Sequence, residues 1–304
     1  MRDATECLPL PTKSVFCFDN RIIYIGTGIS NSGRLCECDG TIYPTETTLY
    51  QYAIEDKAAQ VDINAEYFDA FPFSWYQSEH EKTVITDPQG NFYILPDGYG
   101  LTVLKKHQSS PSDTKKKTGE GDFMTALINH GTAPQDASYE YMMLVRPSNK
   151  EVSKFSKSLP YTVIKADNDA HVVNDHLSGT TAYVCYGQFR GASCREAFSR
   201  LPKGKEAKPY LPVSYIDRET IVMERSLDGI TTVMSVCTPD LGITEKGYTT
   251  IQASQPIVKK VVLSGKYSLA GENSQVEVTS EGEDTALTVT CLHGQPVEFN
   301  LIKK

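Results

Sequence analysis

The chain has 304 residues, 39% apolar and 22% charged, with a formal net charge of −8. That length and balance suit a globular protein of two domains, or one large β domain with an appendage, and exclude a disordered chain. The negative charge counts against nucleic acid as a partner, which needs a concentrated basic surface, and no apolar run approaches the roughly 20 residues of a membrane span.

The N-terminal stretch MRDATECLPLP has no long apolar segment, so no secretory signal is visible. Helical periodicity is scarce. Short runs rich in Val, Ile, Thr, Tyr and Phe recur between turn residues, which is the signature of strands. VFCFDN, RIIYIGTGI and TETTLYQYAI come first. KTVIT and NFYILP then flank Asp87-Pro88-Gln89-Gly90, where proline second and glycine fourth predict a type I turn and a hairpin. Asp97-Gly98 turns the chain into GLTVLKKH. The polar stretch 105–122 reads as a loop. Ser148, three residues before Glu151, makes a capping box, and Val152, Phe155 and Leu159 continue it as one short helix near 148–159, stopped by Pro160. Strands resume with YTVIKAD, AHVVNDHL and TAYVCYGQF. The proline- and lysine-rich stretch 201–218 is the best candidate boundary, and a further set of strands follows it. The expectation is an all-β protein of antiparallel sandwiches, with domains at 1–216 and 217–304.

Candidate chemistry is sparse. The spacing of the eight cysteines is neither a secreted disulfide scaffold nor a paired zinc pattern; Cys36-Glu37-Cys38 is the nearest approach to one. His171 and His176 lie five apart on a strand, hence on opposite faces, which argues against a shared ion. There is no nucleophile elbow and no P-loop. No cofactor is identifiable, with room left for a divalent cation. Trp75 and Tyr76 invite a carbohydrate-stacking reading, with Lys115, Lys116 and Lys117 as cationic help; the competing reading buries Trp75 in a sandwich core and leaves the lysines in a solvated loop. His130 has three readings: a general base, a buried histidine tying strands together, or an idle exposed one. Gly131 after it implies a sharp turn. Tyr139 and Tyr141 share one strand face and Glu140 takes the other, which disperses the apparent cluster.

KSVFCFDNRIIYIGTGIS, TETTLYQ, DPQGNFYILP, INHGTAPQDASYEYMMLV, AHVVNDHLSG and TIVMERSLDGITTVMSVCTPDL follow one another in an order that resembles the family 8 polysaccharide lyases, and among them the chondroitin sulfate ABC lyases. The resemblance runs from about Lys13 to the end. It implies the later part of a β supersandwich followed by a smaller C-terminal β domain, with the catalytic helical toroid lying upstream. The implied reaction is β-elimination at a uronic acid of chondroitin or dermatan sulfate. None of the family's catalytic motifs can be matched here, so no catalytic residue is assigned. His130, Gly131, Tyr139 and Tyr141 match the scaffold. The implied role is to scaffold and line a cleft without catalysing alone; the alternative is a stand-alone glycosaminoglycan-binding module. The implied partners are a glycosaminoglycan and either the helical lyase domain or a second copy, in an extracellular or periplasmic setting.

Overall fold

The computed structural model describes residues 11–33, 40–78, 81–96, 98–111, 118–191, 212–241 and 253–304. It divides into two units between Ser158 and Leu159.

The first unit carries β1 (Thr12–Phe18), β2 (Arg21–Ile29), β3 (Glu46–Ala53), β4 (Val61–Ile63), β5 (Glu66–Phe68) and β6 (Phe73–Gln77). It continues with β7 (Thr83–Thr86), β8 (Phe92–Leu95), β9 (Gly100–Pro111), β10 (Thr118–Asn129), β11 (Ala137–Leu144) and helix α1 (Asn149–Phe155). A seven-stranded sheet runs β1-β2-β11-β8-β7-β4-β5 and a four-stranded sheet runs β3-β10-β9-β6. Strand alternation sends every second side chain inward: Leu101 and Val103 of β9, and Met124, Ala126 and Ile128 of β10, are buried against Ile63, Ile85, Tyr93 and Tyr141. Burying each of the larger side chains among them, Leu101, Val103, Met124 and Ile128, is worth roughly 1.5–3 kcal/mol.

Two local expectations are met. The hairpin around Asp87 joins β7 to β8, with Thr86 opposite Phe92 and Gly90 at φ 81°. Ser148 caps α1 in a full capping box with Glu151, and Phe155 is its buried anchor.

The stretch 105–122 is not the loop that its polarity predicts. Residues up to Pro111 extend β9, those from Thr118 extend β10, and the ladder runs unbroken from Thr118 opposite Pro111 to Asn129 opposite Gly100. At the far end the backbone ladder is joined by the His107–Asp122 contact, and mostly exposed polar side chains leave no apolar alternation to read.

The second unit holds β12 (Tyr161–Ala166), β13 (Ala170–Asp175), β14 (Thr180–Cys185), β15 (Phe189–Arg190), β16 (Val213–Ile216), β17 (Thr220–Ser226) and β18 (Thr231–Cys237). It ends with β19 (Ile257–Leu263), β20 (Tyr267–Leu269), β21 (Val276–Glu281), β22 (Asp284–Cys291) and β23 (Val297–Lys303). Its sheets run β12-β13-β14-β17-β18-β23-β20 and β15-β16-β19-β22-β21. The core is mostly aliphatic: Val172, Val222, Val236, Val261, Leu287 and Leu301 are all inaccessible.

This topology corrects the domain limits. A cut at 216/217 would run through one sheet, because β14 pairs with β17 from Thr180 opposite Arg225 to Cys185 opposite Thr220. The ladder holds β12, β13 and β14 in the unit with β17 and β18, so the division falls at 158/159. Of the stretch 201–218, residues 201–211 lie outside the described residues, and Val213–Ile216 form β16.

Candidate functional site

His130 sits at the corner where β10 ends. Its Nε2 is hydrogen-bonded to Thr47 Oγ1 of β3 at 2.8 Å. Its backbone N–H donates to the Thr45 carbonyl at 2.8 Å, and the Thr45 N–H donates to the Gly131 carbonyl at 2.7 Å. Gly131 takes φ 83°, a conformation that only glycine adopts without cost. Partial burial, followed by the charge of Lys13, holds the imidazole below its usual range and so neutral. Tyr139 lies 6.2 Å away, ring to ring, and stacks on Tyr141 at 5.9 Å. Both tyrosines are buried and point into the sandwich. Gly26 makes room for the Tyr139 ring: a Cβ there would stand 2.2 Å from Tyr139 Cε1.

A second polar cluster lies inside the same unit, and sequence spacing gives no hint of its members. The buried Asp87 carboxylate accepts from Asn91 Nδ2 at 2.9 Å, Tyr93 Oη at 3.2 Å and Tyr52 Oη at 3.3 Å. Its other oxygen accepts the backbone N–H groups of Gln89 and Asn91, both at 2.9 Å. Burial pushes the Tyr50, Tyr93 and Tyr141 hydroxyls well above their ordinary range, and the nearby Asp87 charge adds to this at Tyr50 and Tyr93. Such phenols donate hydrogen bonds and do not ionise near neutrality. Lys105, wholly buried, donates to the carbonyls of Ala59 at 2.7 Å and Asp69 at 2.9 Å, clamping the 54–69 segment onto β9.

The structure separates the two aromatic candidates. Along β6 the faces alternate, so Trp75 packs against the core while Tyr76 is 64% exposed on the other side. Lys115, Lys116 and Lys117 lie outside the described residues. The outward face of β3-β10-β9-β6, which Tyr76 shares, holds an open groove of about 460 Å³. Leu104 and Leu127 give it an apolar floor; Thr48, Gln51, Lys106, Gln108 and Thr125 surround that floor. Gln51 Nε2 donates to Gln108 Oε1 at 2.9 Å, and Gln108 Nε2 donates to Thr125 Oγ1 at 3.0 Å, forming a ladder across three strands. A β-bulge between Ala126 and Leu127 interrupts the β3 pairing at this point, and bulges bend and twist a sheet locally. The groove was missed in the sequence because its residues come from three strands, and only the register assembles them. The alternation of Thr102, Leu104, Lys106 and Gln108 against Leu101, Val103 and Lys105 was the available signal.

In the second unit His171 is fully buried, and burial lowers it to about 4. His176 lies beyond the strand and bonds Thr162 Oγ1 at 2.8 Å. Glu224 is buried on β17 beside Thr181 and is raised to about 7 by desolvation. Among the described residues no group of three or more His, Cys, Asp or Glu is placed to hold a metal ion. Among them, too, no helix is long and apolar enough to cross a membrane.

Comparison with known proteins places these features. The profile of the polysaccharide lyase family 8 super-sandwich domain matches residues 11–156. The chain is 29% identical over 294 residues to a chondroitin sulfate ABC endolyase of Proteus vulgaris, an alignment covering 95% of this chain and 26% of that protein. It is also 29% identical over 231 residues to a chondroitin sulfate ABC exolyase of Bacteroides thetaiotaomicron, covering 76% of this chain and 19% of that one. The fold resembles a Paenibacillus xanthan lyase, with a TM-score of 0.69 at 15% identity over 97% of this chain and 26% of the other. It also resembles a Streptomyces coelicolor chondroitin AC lyase, with a TM-score of 0.62 at 18% identity over 97% and 33% of the two chains. The chain therefore spans about a quarter of the relative it aligns with over most of its length. Residues 11–156 form a super-sandwich domain of polysaccharide lyase family 8, and the chain that carries them is chondroitin ABC lyase-like.

Proposed function

We propose that this chain is the β-rich portion of a glycosaminoglycan lyase of the chondroitin/dermatan sulfate type. It scaffolds the enzyme and lines its cleft, while β-elimination at the uronic acid is carried out by groups outside it. The observation that carries this reading is the alignment of 95% of the chain with 26% of the Proteus vulgaris endolyase. Two features of the unit support it. The Asp87 carboxylate is committed to structural donors, and His130 is hydrogen-bonded to Thr47 as a strand tether. The working enzyme then acts outside the cell or in the periplasm, and this portion associates with the helical lyase domain or with a second copy.

Chromatography of chondroitin sulfate incubated with the chain is the test. The reading expects uncleaved polymer, and release of unsaturated oligosaccharides in proportion to the chain would overturn it. Sedimentation tests the partner clause: a strict monomer at every concentration, with or without the helical domain, contradicts association.

A further inference from the structure

We infer that the groove on the outward face of β3-β10-β9-β6 is a binding site for an acidic saccharide, whose carboxylate or sulfate lies on Lys106 and whose ring hydroxyls meet the Gln51–Gln108–Thr125 ladder. The choice of an acidic saccharide rests on the lyase reading above; the groove itself rests on its geometry.

The lining has the composition that a sugar ring demands. A pyranose presents an apolar C–H face and a rim of hydroxyls, each both donor and acceptor. Leu104 and Leu127 supply the apolar part of the lining. Around it stand side-chain amides and hydroxyls, the groups that exchange hydrogen bonds with vicinal hydroxyls. The ladder already orients its members: Gln51 donates to Gln108, and Gln108 donates to the buried Thr125. Preorganised polar groups lose less entropy when a ligand arrives. Tyr76, on the same face, sits opposite Thr102 of β9 and extends the surface with an exposed ring for stacking.

The charges around the groove select an anion. Lys106 is exposed, lines the groove, and makes no salt bridge among the described residues. The carboxylate whose charge interacts with it is Glu46, at the start of β3. His107 borders the groove and is held by Asp122 at 2.9 Å, with Glu120 at 3.7 Å. Asp122 in turn pairs with Lys57 at 3.3 Å. The two acids on the β10 side are thus engaged with His107 and Lys57, and Glu46 is the carboxylate against which a ligand anion competes for the Lys106 ammonium.

The test is a titration of the 304-residue chain with a chondroitin sulfate tetrasaccharide, by calorimetry and amide chemical shifts. Parallel titrations use a neutral cello-oligosaccharide and inorganic sulfate. The expected result is saturable binding with shifts on β3, β9 and β10, weakened about tenfold or more by Lys106→Met and by Gln108→Ala, and weaker for the neutral sugar. Both side chains lie on the solvent side of the sheet, and an unchanged melting temperature verifies that the variants fold. Absence of binding, equal affinity for the neutral sugar, equal affinity for sulfate alone, or indifference to both substitutions each overturns the proposal. A failed titration leaves the scaffold reading standing, whereas cleavage by the chain alone sinks that reading without touching the groove.

Discussion

The two units solve the same problem, closing a β-sandwich, with different interiors. The first fills its core with tyrosines and ties them by hydrogen bonds: Tyr24 stacks on Tyr141 at 4.6 Å, Tyr50 lies 5.3 Å from Tyr93, and Asp87 collects the Tyr52 and Tyr93 hydroxyls. The second packs Val, Leu and Ile, and tolerates two buried groups whose charge burial suppresses, His171 and Glu224. In the first unit the buried polar atoms are structural partners, so stability depends on keeping the network complete. In the second it depends on keeping two groups uncharged, which makes it a matter of pH.

The largest expected effect comes from breaking the first network. Asp87→Ala strands the buried Tyr93 phenol, the partly buried Tyr52 phenol, an amide and two backbone N–H groups. It should cost about 4 kcal/mol in urea unfolding, because orphaned buried donors keep their full desolvation penalty. Asp87→Asn should recover part of that. A loss under about 1 kcal/mol would mean that the tyrosine packing stands without its acid.

The second unit sharpens the contrast through pH. Glu224 has its folded pKa raised from 4.5 to about 7, so its contribution is intact below the unfolded value and is lost as pH rises through 7. The shift corresponds to about 3 kcal/mol. Glu224→Gln should remove that loss, leaving the variant more stable than the parent at pH 8 and equal to it near pH 4. His171 runs the other way. With its folded pKa lowered from 6.5 to about 4, its contribution is full above 6.5 and falls away toward pH 4. The two windows overlap and their slopes oppose, so the parent profile should be nearly level between about pH 4.5 and 6.5, and Glu224→Gln should uncover the rise in unfolding free energy that His171 contributes toward pH 6.5. A Glu224→Gln profile that stays flat between pH 4 and 6.5 would contradict the burial of His171.

Two smaller effects return to the first unit. Gly26→Ala sets a Cβ against the Tyr139 ring and should cost about 2 kcal/mol by overpacking. His130→Ala removes one half-buried hydrogen bond, to Thr47, and should cost about 1 kcal/mol. The backbone bonds from His130 to Thr45 and from Thr45 to Gly131 should persist, observable as slow amide exchange. Rapid exchange at those two amides would show that the imidazole organises the whole corner.

The contrast also explains what could be read from sequence. β18 alternates buried and partly buried residues along its whole length, and an aliphatic sandwich announces itself through that period. The cap at Ser148 and the turn at Asp87 were legible because each rests on residues within four positions of one another. What stayed hidden was non-local. The outer ends of β9 and β10 have no apolar face, so their pairing leaves no pattern. The β14–β17 ladder spans the Pro- and Lys-rich stretch that imitates a boundary. The groove joins Gln51, Gln108 and Thr125 across two strand registers. Trp75 and Tyr76 stand adjacent in the chain and on opposite sides of the sheet, so a motif read from neighbours joins what the pleat separates.

The central claim is that this chain supports a lyase without performing its chemistry. Its most direct test is the ultraviolet absorbance of unsaturated uronate as the purified 304-residue chain stands with chondroitin sulfate. The account predicts a trace indistinguishable from buffer at every protein concentration. A rise that scales with protein and survives repurification would contradict it.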